Sequence, residues 1–166
     1  DRRLLWGFSF GGRFVNRFVY LHAAELTAAV AGAPGWTTMP WDDRDWWVGV
    51  GDVERRFGRP VDWDALARLP YLLTVGEHDD APAAVDHCYS TAELAHLGLD
   101  GPRLQRYGTT RRARAENLAG ALAERGVPVE LDVVGGVGHH DHGPMYARVW
   151  RFFDEALAGA TGGAGA

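Results

Sequence analysis

Gly7-Phe8-Ser9-Phe10-Gly11-Gly12 closes the apolar run Leu4-Leu5-Trp6 and opens the stretch Arg13-Phe14-Val15-Asn16-Arg17-Phe18-Val19-Tyr20-Leu21. Its first five residues have the spacing G-x-S-x-G. That is the form of a nucleophile elbow, in which a strand turns sharply into a helix and lifts a serine hydroxyl clear of the backbone. Both flanking glycines are expected to be required, because a Cβ at either place would crowd so tight a turn. The run before the motif reads as a buried strand, and the stretch after it has helical periodicity. A glycine-rich turn that happens to contain a serine is the plainer reading, but strand, turn and helix stand here in the order the elbow needs. Serine occurs only at Ser9 and Ser90, and Ser9 is the candidate nucleophile.

Outward from this motif, apolar runs alternate with helical patterns. Residues 3–8, 26–32, 71–75 and 127–134 read as strands, the second short and apolar throughout, as in a strand buried on both faces. Helices are expected after the elbow to about Ala23, over residues 62–68 with Asp62 as cap, near 90–97, over 110–125 between a threonine cap and Gly126, and over 143–157. Residues 33–60 and most of 79–108 read as irregular, and 159–166 as a frayed glycine-rich tail. Strands alternating with helices predict an α/β fold: a parallel sheet with helices on both faces, one domain over residues 1–158.

Composition excludes several classes. Hydrophobic residues make up 46% and charged residues 23%, as in ordinary globular chains. No apolar run reaches the length of a membrane span. A net charge of −5 and the absence of a basic stripe argue against nucleic acid. The densest basic run, Arg111-Arg112-Ala113-Arg114, is offset by Glu116 and Glu124 and is expected on a solvent-facing helix surface. The single Cys88 forms no internal disulfide and reads as a small buried hydrophobe. All 17 basic residues are arginine and isoleucine is absent, a pattern of a GC-rich genome rather than of function.

A serine hydroxyl needs a base within hydrogen-bond reach, and the base needs an orienting carboxylate. Two loops at strand ends offer them. Gly76-Glu77-His78-Asp79-Asp80 follows the third strand, and Gly135-Gly136-Val137-Gly138-His139-His140-Asp141-His142 follows the fourth. Both leave the carboxyl edge of the sheet, where Ser9 also stands and where open α/β folds bind ligands. Asp79 is the candidate acid, with Asp80 the nearest alternative and Glu77 closer to the strand. His139, directly after the glycine-rich turn, is the candidate base, with His140 and His142 as alternatives. The same histidine cluster admits a zinc reading, but adjacent residues point apart and no second ligand cluster accompanies it.

Five of the seven tryptophans, Trp36, Trp41, Trp46, Trp47 and Trp63, fall within one short stretch. The first four lie inside the irregular segment 33–60, a candidate cap or substrate loop. They either line an acyl or aromatic pocket or form the small core that a long loop needs.

The elbow at Gly7–Gly11, the turn Gly76–Asp79 and the turn Gly136–His139 together resemble the α/β-hydrolase superfamily over about residues 3–157. Within it, Gly32-Ala33-Pro34-Gly35-Trp36, Tyr107-Gly108-Thr109-Thr110-Arg111 and Val137-Gly138-His139 are similar to bacterial esterases of the polyhydroxybutyrate depolymerase-like and feruloyl-esterase-like group. The resemblance implies hydrolysis of small or polymeric carboxylic esters through an acyl-enzyme on Ser9, with Asp79 and His139, no cofactor, and the backbone N–H of Phe10 in the oxyanion hole. Acyl transfer by the same residues, or a non-catalytic binding domain of the same fold, are the competing functions. In that superfamily several strands precede the elbow, so the chain is expected to be the C-terminal half of a domain. The other half would hold the second oxyanion donor and cover the edge of the elbow strand.

Overall fold

In a computed structural model, which describes residues 2–80 and 89–162, the four apolar runs pair as parallel strands in chain order. They are β1 (Leu4–Phe8), β2 (Ala28–Gly32), β3 (Tyr71–Gly76) and β4 (Glu130–Val134). The register sets Phe8 beside Gly32, Gly32 beside Thr74, and Gly76 beside Val134, so the carboxyl ends of the strands align. Cys88 and residues 163–166 lie outside the described residues.

The helices are α1 (Phe10–His22), α2 (Val53–Phe57), α3 (Trp63–Arg68), α4 (Thr91–His96), α5 (Gly101–Tyr107), α6 (Arg111–Glu124) and α7 (Pro144–Gly162), with a 3₁₀ turn at Ala23–Glu25. Side chains alternate across a strand, and the sheet uses both faces. Ala29, Ala31, Tyr71 and Leu73 pack with Val15 and Val19 of α1, Leu66 of α3, and Leu118 and Leu122 of α6. Ala28, Val30 and Leu72 face the other way, onto Val149, Phe152 and Phe153 of α7. The result is three layers, helix–sheet–helix, with β2 and β3 buried along their whole length. β1 and β4 are the edge strands and correspondingly more exposed.

Local chemistry sets most element ends. Asp62 accepts the Ala65 N–H at 2.8 Å and Thr110 the Ala113 N–H at 3.1 Å, the N-cap bonds expected of these residues. Ser90 and Glu93 form a reciprocal capping box on α4. Gly126 takes a φ of 75° after α6.

Three elements depart from expectation, the first being α2, a short helix inside segment 33–60, which reads as irregular. α5 lies in a stretch read as irregular: Gly101-Pro102 looks like a breaker, yet proline in the first turn costs no hydrogen bond and starts a helix well. α7 continues to Gly162 through residues expected to fray, because its last turns are rich in alanine, the strongest helix former.

The segment after β2 holds its irregular backbone with side chains. Asn16 Oδ1 accepts the Thr38 N–H at 2.7 Å, Tyr20 donates to the Thr38 carbonyl at 3.0 Å, and Tyr107 donates to the Thr37 carbonyl at 2.7 Å. Buried backbone polar groups without a ladder partner are thus satisfied.

Candidate active site

Ser9 sits between β1 and α1 with φ 55° and ψ −110°, a conformation that a non-glycine residue rarely adopts. Its N–H donates to the Gly32 carbonyl at 2.8 Å, which ties the turn to the end of β2. Although Ser9 occupies the N-cap of α1, its side chain makes no capping bond there. The hydroxyl points elsewhere.

The glycines around it carry unequal burdens. A Cβ on Gly7 would lie 2.4 Å from the backbone of Gly11, and one on Gly12 would lie 2.3 Å from the Gly32 carbonyl oxygen. A Cβ on Gly11 would meet nothing within 4 Å. The expectation that both flanking glycines relieve a clash therefore holds for Gly7 and not for Gly11. Gly12, beyond the motif, is the second obligatory position because α1 packs directly over the end of β2.

The acid and histidine loops are locked together by backbone. Glu77 N–H donates to the Val134 carbonyl at 2.9 Å and His78 N–H to the Val137 carbonyl at 2.8 Å. A Cβ on Gly76 would lie 2.3 Å from the Val137 oxygen and 2.4 Å from the Gly138 oxygen, so only glycine lets the histidine loop cross the end of β3. The Glu77 carboxylate accepts the Gly136 N–H at 2.8 Å, which pins one loop to the other.

This scaffold brings three of the expected residues together. His139 Nε2 lies 3.0 Å from Ser9 Oγ, and His139 Nδ1 lies 2.8 Å from Asp79 Oδ2. Asp79 is 1% exposed and the His139 side chain 35% exposed, so the acid is enclosed and the base open to solvent. The Phe8 ring lies against the imidazole at 4.8 Å between centroids. Burial pushes the Asp79 carboxyl up, but hydrogen bonds from His139 and Arg111, with their charges, outweigh it and hold the group below the usual carboxylate range. Asp80 is exposed, and Glu77 is spent on Gly136. His140 and His142 stack on each other at 4.2 Å. Phe10 is the first residue of α1, where a backbone N–H has no carbonyl partner within the helix.

The tryptophans have protein partners. Trp36 is fully buried, stacked on Tyr107 at 5.8 Å and under the Arg114 guanidinium at 4.7 Å. Trp41 is buried edge-on to Tyr107. Trp36 is thus enclosed by protein, whereas Trp41 also borders surface depressions beside Arg106 and Glu124. Trp46 meets Phe57 at 5.2 Å, and Trp47 stacks on Tyr89 at 5.2 Å; both are half-buried.

Of the basic run, only Arg112, paired with Glu116, faces solvent as expected. Arg114 is buried, and burial pulls its guanidinium down to about 10. Arg111 is 11% exposed and donates from Nη1 to Asp79 Oδ1 at 2.6 Å. A signal for this was available. Arginines in the first turn of a helix oppose its positive end, and α6 has no acidic residue there, so an anion from elsewhere is required.

No family model matches the chain, and neither does any curated protein sequence. Solved structures do match. The chain is 29% identical to LpqC, a poly(3-hydroxybutyrate) depolymerase from Bordetella parapertussis, over 92% of its own length and 50% of that chain, with a TM-score of 0.65. Poly(aspartic acid) hydrolase-1 from Sphingomonas sp. KT-1 is 25% identical over 89% of this chain and 53% of the other, with a TM-score of 0.66. The siderophore hydrolase EstA from Aspergillus nidulans shares the fold at 18% identity and a TM-score of 0.51. The chain thus spans about half the length of the structures it matches. With a parallel sheet flanked by helices and these likenesses, the chain has an α/β-hydrolase fold.

Proposed function

We propose that this chain carries the nucleophile, base and acid of a serine hydrolase acting on carboxylic esters through an acyl-enzyme. The observation that supports it most is the continuous bonded line from Ser9 Oγ through His139 to Asp79, drawn from three separate loops. In this reading Ser9 Oγ attacks the ester carbonyl carbon while His139 Nε2 takes its proton. The tetrahedral intermediate collapses, and the leaving alkoxide departs with that proton. Water, deprotonated by the same nitrogen, then attacks the acyl-enzyme and releases the acid and Ser9. Asp79 fixes the tautomer with the proton on Nδ1 and stabilises the imidazolium. The Phe10 N–H, at the positive end of α1, donates to the developing oxyanion, a contribution commonly worth about 10²–10³ in kcat.

Likeness to a depolymerase favours an ester whose acyl part is a hydroxy acid, in a polymer or as its short oligomers. Of the four tryptophans in segment 33–60, Trp46 and Trp47 are the half-buried pair and retain surface for such a substrate.

The test is hydrolysis of p-nitrophenyl acetate and of hydroxybutyrate oligomers, alongside labelling with a fluorophosphonate. Ser9→Ala is expected to abolish labelling and to lower kcat by at least about 10⁴-fold. Activity in Ser9→Ala near that of the parent would discard the reading.

A further inference from the structure

The carboxylate of Asp79 is held from two sides. Oδ2 faces His139 Nδ1 at 2.8 Å, and Oδ1 accepts from Arg111 Nη1 at 2.6 Å. The backbone is held as well: Asp79 N–H donates to the Gly76 carbonyl at 3.1 Å, and its carbonyl accepts the Arg112 N–H at 3.3 Å. The residue is therefore gripped by the first turn of α6, 32 positions along the chain.

A buried carboxylate with only a neutral imidazole beside it is costly and free to rotate about Cβ–Cγ. Arginine solves both problems, since its guanidinium stays charged and presents donors in a fixed plane. The geometry suits this use, because Arg111 is itself nearly enclosed and lies on the oxygen that His139 does not use. We propose that Arg111 is a positioning residue for the reaction: it holds Oδ1 so that Oδ2 stays aligned with His139. This rests on the serine-hydrolase reading above. Among the described residues, the titratable and charged groups around the Asp79 carboxylate are His139 from the loop after β4, and Arg111 and Arg114 from α6. Arg114 is committed to the Gly35 carbonyl at 3.0 Å and to the face of Trp36, so it does not substitute for Arg111.

The experiment is to follow the Asp79 carboxyl by carbon-13 NMR titration in the parent, Arg111→Met and Arg111→Lys chains, and to measure kcat and KM for p-nitrophenyl acetate across pH. In Arg111→Met the Asp79 titration is expected to move to higher pH. kcat should fall about 10-fold with KM little changed, as for a misaligned catalytic group. Lysine, a point charge without the planar fork, is expected to return the titration towards the parent and to recover part of kcat. An Asp79 titration unmoved by Arg111→Met overturns the inference. Should Arg111→Met not fold, Arg111→Lys decides: parental kcat at every pH overturns the inference, and a several-fold loss at constant KM supports it. The titration needs no turnover. Failure of the hydrolase reading, seen as Ser9-independent hydrolysis in the parent, is therefore distinct from failure of the clamp.

Discussion

Segment 33–60, whose one helix is the short α2, and the loops around Ser9 both follow carboxyl ends of strands, yet side chains hold the first far more than the second. Rings and side chains hold the first, Trp36, Trp41 and Trp47 against Tyr107 and Tyr89, with Asn16, Tyr20 and Tyr107 bonding its carbonyls and amides. They act in addition to its own backbone turns, such as Val50 N–H to the Trp41 carbonyl and Gly51 N–H to the Arg44 carbonyl. The second is held by backbone on backbone. Ser9 bonds Gly32, Glu77 bonds Val134, and His78 bonds Val137, with glycines at Gly7, Gly12 and Gly76 where two chains nearly touch. Side-chain packing tolerates small shifts and re-packing. Backbone contacts at van der Waals limits do not, and a site that must place three polar atoms within tenths of an ångström is built from the second kind.

The largest expected effect tests the aromatic side of this contrast. Trp36→Ala should cost about 3–5 kcal/mol in urea unfolding, as for other buried aromatic truncations. A cost below about 1 kcal/mol would mean that the rings are incidental to holding segment 33–60. On the backbone side, Gly12→Ala forces a methyl into the Gly32 carbonyl and should cost about 1–3 kcal/mol, in the range of other overpacked sites. Its neighbour sharpens the point by sign. Gly11 lies in α1 with open space at its Cβ position, so Gly11→Ala should stabilise by about 0.5–1 kcal/mol. Two adjacent glycines with the same response to alanine would break the distinction.

The smallest effect concerns acid. Asp79 binds its proton less readily folded than unfolded, so its contribution to stability is present above the ordinary carboxylate pKa of about 3.9. That contribution disappears as pH falls through this value towards the lower folded one. The melting temperatures of the parent and Asp79→Asn should therefore converge as the pH drops below about 4. A constant gap from neutral pH to strong acid would contradict the lowered titration.

The parallel sheet was legible in the sequence because its strands are short apolar runs set between periodic helices. The three loops were legible because glycine marks each of them. Ser9, Asp79 and His139 were chosen among Asp80, His140 and His142 by position after a turn, and the structure brings those three together. Arg111 was missed because a basic run next to Glu116 looks like a solvated helix face. Its partner lies 32 residues away, and local charge pairing says nothing of such distances. Trp36 was open to two readings because a tryptophan lining a pocket and one filling a loop core have the same local sequence. Trp36 is enclosed by distant residues, among them Tyr107, 71 positions further on, and the Arg114 guanidinium.

The clearance at Gly76 reaches further than the spacing of two loops. His139 meets Ser9 across 130 residues of chain and Asp79 across 60. Neither approach is possible until β3 and β4 are paired and the histidine loop has closed over Gly76. Contacts so distant along the chain carry a large closure entropy and form late. On the serine-hydrolase reading, labelling of Ser9 by a fluorophosphonate during refolding is therefore expected to lag the formation of the sheet. Labelling that precedes it would contradict this dependence on long-range closure.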